Sequence, residues 1–232
     1  MTIYIGTSGF AYPMWKGPFY PKALPAKLML RYYGERFRAV EINNTFRRIP
    51  DTSVLEGWGS DVPSAFKFAL KAPQRITHFK RLKGVSAPVA QFLEVAGALK
   101  RHLGPLLFQL PPNFKKDLPR LRDLLALLPR RFRVALEFRH PTWFDEEVFA
   151  LLRKHRAALC IADVDDGPDA PFVATANWGY LRLRRANYSG RALKSWAKRI
   201  RGERWQNVFV FFRHEDEGKG PRFATRLAEL AT

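Results

Sequence analysis

The chain has 232 residues and a formal net charge of +19 at pH 7, a length that suits one well-buried core and is common for a single α/β barrel. One cysteine, Cys160, excludes an intrachain disulfide framework, so a reducing cytoplasm is the expected location. No apolar run approaches the roughly 20 residues that span a bilayer, and the first residues resemble a strand rather than a signal peptide. We therefore expect no membrane partner.

Short apolar segments alternate with helical patterns along the whole chain. The predicted strands cover residues 3–8, 39–45, 65–71, 105–110, 133–139, 157–163, 179–184 and 207–213. Side chains suited to open or cap helices are Ser86, Asp117, Asp145 and Ser189. Residues 51–58 predict only a short helix, and residues 164–178 predict no clear helix.

Strands that alternate with helices favour a parallel sheet. Eight strands with six or seven helices predict one slightly irregular TIM-type (β/α)₈ barrel, with a weak or missing helix after the sixth strand. Nucleotide-binding loops of the GxGxxG or GxxxxGK[ST] kind do not occur in the sequence. The pattern shows no linker, so residues 1–232 are predicted to form a single domain.

The predicted strands separate apolar and polar side chains onto opposite faces. In the fifth strand, Val134, Leu136 and Phe138 occupy one face, and Glu137 and Arg139 occupy the other. Strands of a parallel sheet usually read as continuous apolar runs, so ionic residues on one face are unusual. If that face lines a closed barrel, many charged groups converge at one place.

Barrel enzymes place their sites at the carboxyl ends of the strands. The side chains predicted to point inward at these ends are Ser8, Glu41, Asn43, Lys71, Gln109, Glu137, Arg139, Asp163, Arg182, Arg184 and Arg213. Three histidines follow strands or their first turns: His78, His140 and His214. Together with Lys67, the inward set holds six basic and three acidic side chains, which leaves a cationic surplus.

That surplus predicts an anionic ligand, because arginine forks match the oxygens of phosphate or carboxylate. In this interpretation Lys71, Arg139 and Arg182 hold the anion. The favoured hypothesis is a cationic barrel mouth that binds a phosphate-containing ligand, with nucleic acid as one candidate. It extends to processing of that ligand, for example by phosphoester hydrolysis.

The predicted acid–base groups are the carboxylates of the site and one histidine. Glu137 or Glu41 is expected to act as general base, His140 is a candidate proton carrier, and Asp163 completes the acidic side. Two alternatives stay open: an enzyme acting on a small anionic metabolite, and a non-catalytic nucleic-acid-binding module. None of the candidate ligands has a diagnostic spacing such as HExxH, and the surrounding cations would repel a divalent ion. We expect neither a metal nor a cofactor.

A second basic feature covers residues 182–204, where eight arginines and lysines beyond Arg182 are accompanied by one acid, Glu203. Such a block favours a surface that contacts phosphates. If this block is continuous with the barrel mouth, the two form one nucleic-acid site; if it lies elsewhere, the basic surface and the mouth are separate features.

Aromatic residues also cluster after the first strand, either as a stacking surface for a ring or as a hydrophobic lid.

Several motifs in chain order resemble the YecE-like family, a bacterial family of unknown function. They are GTSGF at residues 6–10, EINNTF at 41–46, QLPP at 109–112, EFRH at 137–140 and YLRLR at 180–184. The resemblance spans nearly the whole chain and implies a TIM-type barrel, but it implies no particular reaction. Residues 184–185 are Arg-Arg where the family commonly has His-Gly, so no histidine role is expected on the seventh strand.

Overall fold

The fold was examined in a computed structural model that describes residues 1–168, 170–213 and 218–231. It contains eight strands that all belong to one parallel sheet. Their bounds are β1 Thr2–Thr7, β2 Ala39–Ile42, β3 Lys67–Lys71, β4 Leu103–Gln109, β5 Val134–Glu137, β6 Ala158–Asp163, β7 Trp178–Leu183 and β8 Asn207–Phe212. The order β1-β8-β7-β6-β5-β4-β3-β2 is that of a nearly closed TIM-type barrel, as predicted.

Closure between β1 and β2 depends on few contacts. One isolated parallel bridge joins Ser8 to Glu41. Next to it the hydroxyl of Tyr33 accepts a hydrogen bond from the Thr7 amide at 2.8 Å and donates to the Ala39 carbonyl at 3.1 Å. A phenol thus bridges two strands where backbone groups would otherwise lack partners.

Seven α-helices surround the sheet in the part of the chain that the structure describes. They are α1 Met29–Gly34, α2 Thr52–Ser60, α3 Ser86–Gly97, α4 Leu118–Ala126, α5 Glu146–His155, α6 Gly190–Gly202 and α7 Lys219–Ala231. The predicted caps Asp117, Asp145 and Ser189 each accept a hydrogen bond from an amide of the first helical turn. The predicted cap Ser86 is instead the first helical residue, after Val85. None of the described helices is long and apolar enough to cross a membrane.

The connection from β6 to β7 contains no helix in its described residues, 164–168 and 170–177. This agrees with the sequence pattern, because Gly167 and the neighbouring prolines disfavour helix formation.

Some strands end earlier than predicted: β2 ends at Ile42, since Asn44–Phe46 forms a 3-10 turn. The fifth strand likewise ends at Glu137.

Two apolar layers pack on opposite sides of the barrel wall. The larger layer lies between strands and helices, and the aromatic loop after β1 belongs to it: Trp15 and Tyr20 are buried, and Phe19 stacks on Phe37. This packing supports the lid interpretation of that loop. The smaller layer fills the barrel interior and includes Ala69, Ala135, Cys160, Tyr180, Phe209 and Phe211. The buried polar residues Glu41, Glu137 and Arg182 lie on the same strand faces toward the carboxyl ends of the strands.

Candidate active site at the barrel mouth

Arg182 of β7 lies at the centre of a buried ionic cluster. Its Nη2 donates to Oε1 of Glu41 in β2 at 2.7 Å, and its Nη1 donates to Oε2 of Glu137 in β5 at 2.6 Å. All three side chains are 1% exposed or less. These strands are not neighbours in the sheet, so the contacts cross the barrel interior and confirm that the polar faces point inward.

Each glutamate has further donors. The hydroxyls of Ser8 and Tyr180 donate to Glu41 at 2.8 and 2.7 Å, and the Asn43 amide donates to it at 3.1 Å. Arg139 donates to Oε1 of Glu137 through Nε at 2.7 Å. Both carboxylates are therefore saturated with donors, as buried charges must be to avoid a large desolvation cost.

The surroundings keep both carboxyl groups ionised. Burial is the largest single influence and by itself raises the pKa of Glu41 and of Glu137, but the charge of Arg182, the other nearby arginines and the hydrogen bonds together outweigh it. The pKa of Glu41 lies below its usual value, and that of Glu137 falls to about 2. Conversely, the two carboxylates hold the pKa of Arg182 above its usual range despite complete burial.

Two further cations lie beside this cluster without an acidic partner among the described residues: Lys71 and Arg184. Burial, followed by the charge of Arg182, lowers the pKa of Lys71 to about 8. Arg182, followed by burial, lowers that of Arg184 to about 10. The Lys71 ammonium lies 4.1 Å from the centre of the Phe46 ring, a cation–π contact that does not neutralise its charge.

His78 borders the same group of charges. Its Nδ1 is 2.9 Å from the Thr77 hydroxyl, and its ring meets Phe46 edge to face. Burial lowers its pKa, and the neighbouring charges of Lys71 and Arg139 lower it further. His78 lies within a π-helical turn, Arg75–Phe79, a conformation that is frequent at functional sites.

Asp163 does not belong to this cluster, and the prediction that it faces inward is wrong. It lies on the same strand face as Leu159 and Ile161, which pack outside the barrel. Its carboxylate pairs with Arg185 at 2.5 Å, in a groove of about 690 Å³ on the outer surface near α6. The barrel interior therefore holds two of the three predicted carboxylates.

Among the other predicted site residues, two take positions outside the buried cluster. The His140 ring caps the turn Pro141–Trp143, with Nδ1 accepting from the Thr142 amide, so its contacts are local. Arg213 follows the end of β8 and is exposed rather than within the buried cluster. Gln109 is buried at the end of β4, opposite Glu137 in register, as predicted. His214 lies outside the described residues.

Three residues of the site were not predicted from the sequence. Tyr180 shares a strand face with Arg182 and donates to Glu41. Cys160 belongs to the interior apolar layer, and its Sγ lies 4.0 Å from Glu137 Oε2; burial, followed by that carboxylate, raises its pKa. Phe46 contacts both Lys71 and His78. The alternation of strand faces was sufficient to identify Tyr180, but no sequence signal identifies Phe46.

A metal site would need several ligating side chains close together. Within residues 1–168, 170–213 and 218–231, no group of three or more His, Cys, Asp or Glu side chains is arranged to hold a metal ion. The donors closest to the two glutamates are instead arginines, hydroxyls and an amide.

An eight-stranded parallel barrel with an ionic cluster at the carboxyl ends of its strands defines a TIM-type α/β protein. The family described as "Protein of unknown function DUF72" matches residues 4–232. The chain belongs to this family.

Curated relatives include UPF0759 protein YecE of Escherichia coli K12, 31% identical over 143 residues. That match covers 61% of this chain, and it spans about half (50%) of the length of YecE. UPF0759 protein YunF of Bacillus subtilis is 28% identical over 236 residues, covering 93% of this chain and 79% of YunF.

Two solved structures share the fold. The DUF72 family protein TM1631 of Thermotoga maritima has a TM-score of 0.89 at 27% identity, covering 99% of both chains. The DUF72 family protein EF0366 of Enterococcus faecalis has a TM-score of 0.80 at 18% identity, covering 99% of this chain and 95% of that one. These likenesses confirm the barrel and the YecE-like resemblance.

Proposed function

We propose that the barrel mouth binds a phosphate-containing anion. The supporting observation is the charge balance: Glu41 and Glu137 neutralise Arg182 and Arg139, while Lys71 and Arg184 have no acidic partner in the described structure. After burial and the charge of Arg182, the charge of Arg184 also lowers the pKa of Lys71, and an anion that contacts both cations would offset this repulsion. A phosphate dianion supplies the two missing charges.

The proposal assigns separate roles to the acidic and basic groups. With pKa values below their usual range, Glu41 and Glu137 are weak bases, and their role is to hold the arginines in place. Lys71, with a pKa of about 8, exchanges protons close to neutral pH, and the neighbouring His78 has a pKa below its usual value. Processing of the ligand, including phosphoester hydrolysis, would use these two groups rather than the glutamates.

Binding can be tested by titrating inorganic phosphate and a nucleoside monophosphate, with calorimetry as the measurement. Lys71→Gln and Arg184→Gln should each weaken binding about tenfold or more, the loss of one charge-assisted hydrogen bond. Lys198→Gln, an exposed change on α6, is the charge-matched control and should retain affinity. Equal losses in all three variants would show that general surface charge, and not the mouth, binds the anion.

Hydrolysis requires a separate assay, because binding alone does not establish turnover. Release of nitrophenol from a phosphate monoester and a diester should be measured for the unchanged protein, Lys71→Gln and His78→Gln. Activity that disappears in both variants supports processing at the mouth. Activity that survives in both would assign turnover to other groups, whereas binding without activity would support a binding protein.

Nucleic acid is a second candidate partner, supported by the exposed face of α6. Arg191, Lys194, Lys198 and Arg201 are all exposed there, on a helix outside the barrel interior. This face should give weak, sequence-independent affinity that falls steeply with salt. Changing all four residues to Gln should flatten the salt dependence in fluorescence anisotropy and leave phosphate binding at the mouth intact.

A further inference from the structure

A second concave site lies at the opposite end of the barrel, where β5, β6 and β7 begin. It encloses about 730 Å³, within the range of small-molecule pockets. Its titratable lining residues are Arg130, Arg133, Arg153, His155 and Arg156. Its other contributors include the side chains of Trp178 and Asn177. This end of a TIM barrel usually serves stability, so a dense group of cations there requires an explanation.

The charge of this pocket is not balanced within the described structure. None of its lining residues is acidic. Arg153 pairs with Glu146 on the outside of α5, but Arg130, Arg133 and Arg156 form no ion pair or side-chain hydrogen bond among the described residues. Three guanidinium groups therefore share one concave surface with no protein anion.

A further cation approaches from inside the barrel. Lys67 lies at the start of β3, and its ammonium donates to the Arg101 carbonyl. Burial, followed by the charge of Arg133, lowers its pKa, so these two side chains are within electrostatic reach of each other. The cationic character therefore continues from the pocket into the end of the barrel.

The backbone at Arg156 is a second, independent sign. This residue ends α5 with φ 55° and ψ 29°, the left-handed conformation that glycine or asparagine normally occupies at a helix end. A residue with a Cβ is less stable than glycine in this conformation. The residue here is nevertheless an arginine, which fits a role for its side chain rather than for its backbone.

We propose that this pocket is a binding site for a small organic diphosphate or polyphosphate, of the size of a nucleoside diphosphate. Three arginine forks match the oxygens of two linked phosphates, and the pocket volume accommodates an attached ring next to Phe132 and Trp178. The site is independent of the barrel mouth, since its lining residues belong to the amino-terminal ends of the strands.

The experiment uses the full chain carrying Lys71→Gln and Arg184→Gln, so that the mouth does not contribute. Pyrophosphate and ADP are titrated by calorimetry at constant ionic strength, with sulfate as the single-anion comparison. We expect one pyrophosphate per chain, bound at least about tenfold more tightly than sulfate. Pyrophosphate that binds no better than sulfate would overturn the proposal.

Two variants assign the binding to the pocket. The double variant Arg130→Gln, Arg133→Gln should weaken pyrophosphate binding about tenfold or more. The double variant Arg191→Gln, Lys194→Gln removes the same charge from α6 and should have little effect on that binding. Arg156→Gly should weaken binding while keeping or raising the melting temperature, because glycine suits the backbone there. Equal losses in the pocket and α6 variants would mean diffuse electrostatics and contradict the site.

A third titration distinguishes a small-molecule ligand from a nucleic acid. It uses a single-stranded oligonucleotide of about 12 bases, a length in the range of common single-strand sites. A small-molecule site should prefer ADP, and unlabelled ADP should displace a fluorescent analogue that the oligonucleotide does not displace. Displacement by the oligonucleotide at lower concentration than by ADP would overturn the small-ligand assignment in favour of a nucleic-acid surface.

Discussion

At the scale of single residues, Arg182 should contribute most to stability among the ionic groups, because it contacts two buried carboxylates. Arg182→Ala leaves Glu41 and Glu137 without their shared cation, and the expected loss in unfolding free energy is about 3–5 kcal/mol. The control is Arg139→Ala, whose side chain is 30% exposed and should cost less. Chemical denaturation measures both, and equal costs would contradict a dry, tightly coupled cluster.

Lys71 predicts a pH dependence of anion binding. Its folded-state pKa of about 8 lies below the usual 10.5, so in the absence of an anion stability should rise as pH increases from about 8 toward 10.5. Anion binding favours the protonated form, and stabilisation by sulfate should therefore fall as pH rises through about 8.

Thermal melts of the unchanged protein and Lys71→Gln, with and without sulfate, test this dependence. Sulfate keeps two charges over the whole range, so the pH effect reports on the protein. Sulfate should raise the melting temperature of the unchanged protein more than that of Lys71→Gln. This difference in the sulfate effect should be large below a pH of about 7 and should disappear above about 9. A difference that does not change with pH would show that Lys71 does not titrate where the structure places it.

At the scale of elements, Tyr33 predicts how strongly the β1–β2 junction depends on one side chain. Tyr33→Phe leaves the Thr7 amide and the Ala39 carbonyl without this partner, at an expected cost of about 1–3 kcal/mol. Tyr32→Phe on the same helix is the control, since its ring stacks on Arg36 and its hydroxyl bonds no strand. Similar costs for the two variants would contradict the bridging role.

The sequence predicted elements better than their ends. Apolar runs and helix caps were enough to identify all eight strands, because those signals are local. The end of β2 at Ile42 was not predictable, since the following turn is fixed by Thr45, whose hydroxyl donates to the Lys71 carbonyl of another strand at 2.7 Å. Asp163 was misplaced for a different reason: the preceding run Ala158–Ile161 is apolar on both faces, so its pattern does not show which face of the strand points inward.

For the candidate site, too, local patterns were predictable from the sequence and contacts between distant strands were not. Strand alternation placed Glu41, Glu137 and Arg182 in the barrel interior. It could not predict which cations lack an acidic partner, because pairing depends on distances between strands far apart in sequence. Nor could it predict the pocket at the other end, whose arginines come from loops and helix ends.

At the scale of the whole molecule, barrel closure predicts the effect of removing β8 and α7. The strand β8 pairs with β1 on one side and β7 on the other, so ending the chain before Asn207 exposes two edges. We expect the truncated protein to aggregate or to melt without a cooperative transition, as measured by calorimetry. A soluble fragment with a sharp transition would contradict dependence on closure.

The buried cluster also has a consequence for the order of events during folding. Arg182 is 141 residues from Glu41 and 45 from Glu137 in sequence, so their contacts close long loops and should form after the rate-limiting step. Glu41→Gln should then leave the refolding rate nearly unchanged and accelerate unfolding, giving a φ-value near zero in stopped-flow kinetics. A φ-value near one would place the cluster in the nucleus. With a low value, the ionic cluster at the barrel mouth is assembled late in folding and is a principal determinant of how slowly the native protein unfolds.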